Sequence, residues 1–363
     1  MRINLLAGAR PNYMKAFPLW KALRELHPDW QTSLIHTGQH YDALMSDVFF
    51  TDFGMAKPDF FLGVGSGSHA EQTAKAMLTL GKLLEQERPD LLVVVGDVNS
   101  TLAGALVAAK LRIAVAHVEA GLRSGDRTMP EEINRMATDA VSDLLLTSCR
   151  DADDNLMREG VSPARIRFVG NVMIDSLVQM LPKAKATTLF DKLGLVSGAY
   201  GLATLHRPSN VDDPVVFQRL MQGLVALSAR HPVIFPIHPR SRKMLDRIGL
   251  RLPPSLHLLD PVGYIDFLGL QSQACFVVTD SGGIQEETSF LGIPCLTVRP
   301  NTERPVTITH GSNRLVDPAT VDLTMEVEKS LAQREEYRRR AEVGIEGWDG
   351  HAAERVVAAF GAR

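Results

Sequence analysis

Carboxylates and histidines recur directly behind short apolar runs in this 363-residue chain. In parallel-sheet proteins that is where ligands and reacting groups gather, at the carboxyl ends of strands. Asp97 follows Leu91–Val95, the most apolar of these runs, within Gly96-Asp97-Val98-Asn99-Ser100-Thr101. An Asp so placed can cap the next helix or serve chemistry, and the two roles are compatible. Glu119 stands near the end of the run from Ala114 in His117-Val118-Glu119-Ala120-Gly121-Leu122-Arg123, where Gly121 permits a sharp backbone path. A carboxylate withdrawn from water has its pKa raised, which suits a general acid or base near neutrality. Glu131 and Glu132 follow Pro130, a residue apt for a first helical turn; the helix dipole favours acids there, which accounts for Glu132 and can account for Glu131. In the second half His206 and Arg207 follow Gly201–Leu205, and His238 follows Val233–Ile237. A lone histidine at a strand end is more often a packed, hydrogen-bonded residue than a reacting one. Two at equivalent ends make both candidates.

Other turns suit anions. Gly8-Ala9-Arg10-Pro11, with Lys15 beyond it, sits behind the first apolar run. Backbone N–H groups at a helix start, with Arg10 and Lys15, could hold a phosphate. The turn carries neither a dinucleotide fingerprint nor a P-loop, so a plain turn with solvated cations fits equally well. Thr279-Asp280-Ser281-Gly282-Gly283-Ile284-Gln285-Glu286-Glu287 is the stronger signal. Ser281, Gly282 and Gly283 bring small side chains and backbone donors to a helix N-terminus, which suits a diphosphate. Glu287 lies about a turn further on, placed to accept hydrogen bonds from ribose hydroxyls. Thr302-Glu303-Arg304-Pro305 adds another cationic turn. Anion-binding turns thus occur in both halves, while acids concentrate in the first. The second half reads as the nucleotide holder and the first as the reactive half.

These residues need strands and helices to place them. Candidate strands are Ile3–Ala7, Ser33–Thr37, Leu91–Val95, Ala114–Val118, Leu144–Thr147 and Ile166–Val169, then Gly201–Leu205, Val233–Ile237, Leu256–Leu259, Phe276–Thr279, Cys295–Val298 and Arg314–Val316. Amphipathic stretches such as Ala70–Glu87 and Glu131–Val141 separate them, the rhythm of parallel sheets covered on both faces. The expected fold is α/β: two Rossmann-like domains with a central cleft, residues 1–171 and 172–349. The tail from Val321 reads as helical, and in such architectures a helix at about 350–363 can cross back onto the first domain.

The bulk numbers agree. Hydrophobic residues make up 45% and charged residues 22%, the balance of a globular protein, and a net charge of −3 implies no basic nucleic-acid-binding surface. No window approaches the roughly 18 apolar residues of a membrane span. The start of the chain is too short in apolar residues for a signal peptide, so the cytoplasm is expected. Cys149, Cys275 and Cys295 are odd in number and irregularly spaced, which predicts buried thiols rather than disulfides or a zinc cluster.

Together these motifs resemble the non-hydrolysing UDP-N-acetylglucosamine 2-epimerases. The match runs through Gly8–Lys15, Gly96–Thr101, His117–Arg123, Pro130–Arg135, His206-Arg207, Pro236–Pro239, Asp280–Glu287, Thr302–Pro305 and Asp349-Gly350. The resemblance implies a GT-B-like fold, a homodimer, a UDP-sugar as substrate, and no metal or other cofactor. It implies interconversion of UDP-N-acetylglucosamine and UDP-N-acetylmannosamine through 2-acetamidoglucal and UDP. By the same resemblance Asp97, Glu119 and Glu131 carry acid–base work and His206 assists near the sugar–phosphate junction. Arg10, Arg207, His238, Ser281, Gly282, Gly283 and Glu287 would hold substrate, with Lys15 in electrostatic support. The chain departs from the pattern twice. Pro208-Ser209-Asn210 follows His206-Arg207 where many members have Arg-Glu after His-Arg. The loop Gly63–Ser68 lacks the arginine that, with residues near Gln39-His40, serves an activating second UDP-sugar in bacterial members. A related substrate, a diacetamido sugar or its uronic acid, therefore stays open, as does a hydrolysing epimerase. A GT-B glycosyltransferase or a non-catalytic nucleotide-sugar binder is the competing reading, which so many acids in one half disfavour.

Overall fold

The structure, a computed structural model, describes residues 1–8, 10–38, 53–55 and 57–361, with the backbone only of residues 10 and 11. The chain forms two compact units, Met1–Gln179 with Glu346–Arg363, and Met180–Ile345. The helix Val172–Lys185 begins where sequence placed the domain boundary, and the units part within it.

The first unit is built on a parallel sheet in the order β3-β2-β1-β4-β5-β6-β7. The strands are β1 Arg2–Ala7, β2 Gln31–His36, β3 Phe60–Phe61, β4 Leu91–Val95, β5 Ala114–Ala120, β6 Leu144–Thr147 and β7 Ile166–Phe168. Leu92, Val94, Val115 and Ile35 pack under Ala76, Leu80 and Leu84 of the helix His69–Glu87, which starts with a capping box between Ser68 and Glu71. β3, two residues long with Phe61 exposed, was not apparent in the sequence, since so short an edge carries no period.

The chain returns to this unit at its end. The helix Ala352–Gly361 packs on the helix Arg10–Leu26. Asp175 accepts hydrogen bonds from the N–H groups of Ala352 (3.1 Å) and Ala353 (2.7 Å), so a remote carboxylate satisfies two of the free donors at that helix start. Trp348 Nε1 donates to the Ser148 carbonyl (2.9 Å) and Arg355 Nε to that of Val169 (2.6 Å).

The second unit repeats the plan with β8 Gly201–Thr204, β9 Val233–Pro236, β10 Leu256–Leu259, β11 Phe276–Thr279, β12 Cys295–Val298 and β13 Asn313–Val316, in the order β10-β9-β8-β11-β12-β13. Successive residues serve opposite faces. Ala203, Phe235, Phe276, Val278 and Leu296 join one core, while Leu202, Ile234, Val277 and Cys295 join the other. Both faces are covered, hence the buried runs of the inner strands β11 and β12. In each unit the order reverses between the first and fourth strands in sequence, β1 beside β4 and β8 beside β11. A crevice for ligands opens at such a reversal, beyond the carboxyl ends of the strands. Cys149, Cys275 and Cys295 are all buried. Among the described residues no helix is long and apolar enough to cross a membrane.

The returning tail depends on Gly170. Its φ of +85° is costly for any other residue, and an added Cβ would overlap the Gly347 carbonyl. Gly170→Ala is expected to lower the melting temperature well beyond Gly194→Ala, which shares a positive φ (+63°) but has open space around it. The strain common to both costs about 1–2 kcal/mol. Equal shifts in calorimetry would show that the tail contact contributes nothing.

Candidate active site

The first unit gathers its candidates around β4 and β5. Lys15, on the inner face of the helix Arg10–Leu26, forms an ion pair with Glu119, and both side chains are buried. Glu119 occupies an unusual place on its strand. β5 pairs Val118 with Leu146 and Ala120 with Thr147, so the register slips and Glu119 is the extra residue of a bulge, at φ +71°. A β-bulge re-aims a side chain, and a left-handed backbone at a non-glycine residue marks a place where surrounding structure overrides local preference. Gly96, directly before Asp97, makes room for the pair. A Cβ there would lie 2.9 Å from Lys15 Nζ and 3.4 Å from Glu119 Oε2.

Asp97 stands directly before Val98, the N-cap of the following helix. Its carboxylate pairs with Arg135 (Nη2 to Oδ2, 2.6 Å), while Asn134 Nδ2 donates to its carbonyl (2.9 Å). Arg135 is almost fully buried and also pairs with Glu132. Glu132 is more than a dipole-favoured acid: its carboxylate accepts from the N–H groups of Ser124 (3.0 Å) and Gly125 (2.9 Å) and pins the loop before the helix Pro130–Val141. Glu131, in the same first turn, is half-buried. The structure thus brings Asp97, Glu119 and Lys15 together at the strand ends, with Glu131 on the helix that ties Asp97 down. The Arg10 side chain and Gln39-His40 lie outside the described residues.

In the second unit Asp280, at the end of β11, is fully buried and accepts four donors. These are His206 Nδ1 (2.8 Å), the N–H groups of His206 (3.0 Å) and Arg207 (2.9 Å), and Asn210 Nδ2 (3.2 Å). Burial alone would raise its pKa, but these bonds and the His206 ring hold it below the ordinary carboxylate value. The contact fixes His206 with Nδ1 protonated and leaves Nε2 for other partners; nearly half of the side chain is exposed. His238 is the N-cap of the helix Pro239–Ile248, its Nδ1 accepting from Arg240 N–H (3.2 Å), and its ring lies 6.2 Å from that of His206. Burial, then the neighbouring His206 and Arg240, lower the His238 pKa, so it presents a neutral ring. Arg207 Nε donates to the Asp280 carbonyl (2.9 Å).

The helix Gly282–Leu291 has Ser281 at its N-cap with no side-chain capping bond, so its first N–H groups keep free donor capacity for an anion. Gly282 is required for another reason: a Cβ would press on Arg304 Nη1 at 2.7 Å. Arg304 pairs with Glu286 (2.8 Å) and Glu303, and Arg299 with Glu303 (2.9 Å), a buried charged layer under the turn. Glu287 is buried and accepts from the Tyr264 hydroxyl (2.9 Å); burial pushes its pKa up to about 7. Sequence reasoning missed Arg135 and Tyr264 as site-building residues, and Asp139, whose carboxylate accepts from the Gly121 N–H (3.1 Å) and pairs with His117 Nδ1 (2.7 Å). Arg135 stood inside a quoted motif, but nothing local reveals that it reaches back to Asp97.

The Lys15–Glu119 pair is testable. Removing one partner of a buried ion pair strands the other charge and costs about 3–5 kcal/mol, whereas removing both is far milder. Lys15→Met should therefore lower the melting temperature sharply, and Lys15→Met with Glu119→Leu should recover most of the loss. Additive losses in the double variant would refute the pairing.

The family model described as UDP-N-acetylglucosamine 2-epimerase matches residues 21–361. A UDP-N-acetylglucosamine 2-epimerase of Methanocaldococcus jannaschii is 41% identical over 347 residues, 93% of this chain and 94% of the relative. A UDP-2,3-diacetamido-2,3-dideoxy-D-glucuronate 2-epimerase of Pseudomonas aeruginosa is 42% identical over 323 residues, 88% of this chain and 89% of the relative. Among solved structures, the Methanocaldococcus jannaschii UDP-GlcNAc 2-epimerase in complex with UDP-GlcNAc and UDP superposes with a TM-score of 0.90 at 38% identity, covering 100% of both chains. With acids at one sheet reversal, an uncapped helix start at the other, and likeness along almost its whole length, the chain belongs to the UDP-N-acetylglucosamine 2-epimerase family.

Proposed function

We propose that this protein reversibly epimerises carbon 2 of UDP-N-acetylglucosamine, giving UDP-N-acetylmannosamine, without hydrolysis and without a metal or other cofactor. The observation that carries the reading is the buried Lys15–Glu119 pair on a bulged strand beside Gly96-Asp97. The proton at carbon 2 is weakly acidic, since no carbonyl is conjugated to it. Its removal must be coupled to departure of a good leaving group. A base takes that proton while the bond from carbon 1 to the UDP oxygen breaks, leaving 2-acetamidoglucal and UDP. In the return step UDP oxygen adds to carbon 1 and an acid protonates carbon 2 from the opposite face. Two faces call for more than one acid–base group, and Asp97, Glu119 and Glu131 supply them, with His206 Nε2 near the sugar–phosphate junction.

The second unit holds UDP. Ser281, Gly282 and Gly283 offer backbone donors to the diphosphate, Arg207 and His238 line the same strand ends, and Glu287 takes the ribose. Arg10 and Lys15 add positive charge. Such preorganised donors stabilise charge as it develops on the departing diphosphate. By the family likeness the working form is a homodimer and the setting cytoplasmic. A second reading, a related diacetamido uronic-acid UDP-sugar, is favoured by the Pseudomonas aeruginosa relative and by Pro208-Ser209-Asn210 after His206-Arg207.

In deuterated water, protein given UDP-N-acetylglucosamine should place deuterium at carbon 2 of both epimers. Exchange with the diacetamido sugar alone would select the second reading, free N-acetylmannosamine a hydrolase, and no exchange with any UDP-sugar would end the proposal. Glu119→Gln should lower turnover by orders of magnitude while UDP still binds. Glu287 gives a pH test. Its carboxyl, at about 7, is ionised above that pH and accepts ribose hydroxyls best in that form. UDP affinity should therefore weaken as pH falls from 8 to 6, and Glu287→Gln should bind more weakly with a shallower profile, since the terminal phosphate of UDP titrates in the same range. Titration calorimetry showing the same pH dependence in both proteins would remove Glu287 from the site.

A further inference from the structure

Glu119 is held at a positive φ, and the structure shows what holds it. Two residues before it, His117 is fully buried. Its Nδ1 lies 2.7 Å from Asp139 Oδ1 and its Nε2 lies 2.8 Å from the Gly96 carbonyl. Both neighbours are acceptors, so the imidazole donates from both nitrogens. Two residues after Glu119, the Gly121 N–H donates to Asp139 Oδ2 (3.1 Å). Arg123 Nη1 pairs with the same oxygen (2.8 Å) and is itself held by Glu159 (2.7 and 2.8 Å). One carboxylate therefore ties both flanks of the bulge. Through the imidazole it also reaches the carbonyl of the residue before Asp97. Asp139 sits on the helix Pro130–Val141, the element that carries Glu131 in its first turn and pairs Arg135 with Asp97.

We propose that Asp139, acting through His117 and the Gly121 N–H, is a positioning residue that sets Glu119 and Asp97 in their reacting orientation without touching substrate. Burial raises the Asp139 pKa, but His117 and Arg123 outweigh it and keep the carboxylate ionised, as three donors require. The inference rests on Glu119 and Asp97 being acid–base residues of the epimerisation.

The test is steady-state epimerisation of UDP-N-acetylglucosamine, with folding checked by circular dichroism. Asp139→Ala should lower kcat about 100-fold with KM within about threefold, because UDP is held elsewhere. Asp139→Asn, whose amide accepts from Gly121 and Arg123 while donating to a neutral imidazole, should recover kcat to within about tenfold of the parent. A merely structural carboxylate would instead shift stability without this split or rescue. If Asp139→Ala does not fold, His117→Gln, offering one amide nitrogen where imidazole offers two separated donors, should show the same selective loss of kcat. A folded Asp139→Ala or His117→Gln protein with parental kcat would overturn the proposal, as would KM rising in step with falling kcat. Glu119→Gln in parallel separates the failures. Full activity there defeats the assigned chemistry, whereas loss there with normal Asp139 variants defeats only the positioning role.

Discussion

A buried ammonium and a buried carboxylate must neutralise each other at the end of β5, and much of the first unit is arranged around that demand. Withdrawing either charge from water costs several kcal/mol unless the pairing geometry is good. Lys15 reaches the site because the helix Arg10–Leu26 starts directly behind β1 and lays that side chain on its inner face. Glu119 reaches it because the strand bulges, and a straight strand would alternate the side chain to another face. Gly96 has no side chain where both heads meet. The left-handed glutamate and the slipped register would each alone be a local cost, and the glycine at positive φ gives them room. They are consistent only together.

The second unit shares the strand order but answers a different demand. One of its buried carboxylates, Asp280, forms no pair with a lysine or arginine side chain among the described residues; it accepts from backbone N–H groups, an amide and an imidazole. That arrangement fixes a histidine ring and a turn, and it leaves the adjoining helix start free of side-chain capping. The first unit thus places cation-paired acids at its strand ends, whereas the second keeps its pairs, Arg304 with Glu286 and Arg299 with Glu303, under the turn and presents donors suited to an anion.

Much of this was legible in the sequence. Leu91–Val95, Leu144–Thr147, Phe276–Thr279 and Cys295–Val298 have the ends read from their apolar runs, because strands buried on both faces leave contiguous hydrophobic signatures. Asp97, Glu119, His206 and Ser281 were recognisable as residues at strand ends. Their partners were not. Arg135 lies 38 positions from Asp97, Glu119 104 from Lys15, and Asp280 70 or more from the residues it gathers. A local pattern carries no information about pairings set by sheet order. β5 also ran two residues past its expected end at Val118, because a bulge keeps the strand paired through Ala120 while hiding the period.

Such long-range partners explain why the motif around Glu119 extends beyond that one residue. His117 precedes it by two positions on an ordinary strand, where alternation gives both the same face. The bulge breaks that relation, and the two side chains part: His117 to Asp139 and Gly96, Glu119 to Lys15. Gly121, at φ +79°, then turns so that its N–H meets the carboxylate already holding His117, and a Cβ there would crowd the Ala152 carbonyl at 2.5 Å. The spacing His-x-Glu-x-Gly is therefore a consequence of geometry. One residue is needed to anchor the strand, one to leave it, and one without a side chain to close the turn against the same anchor.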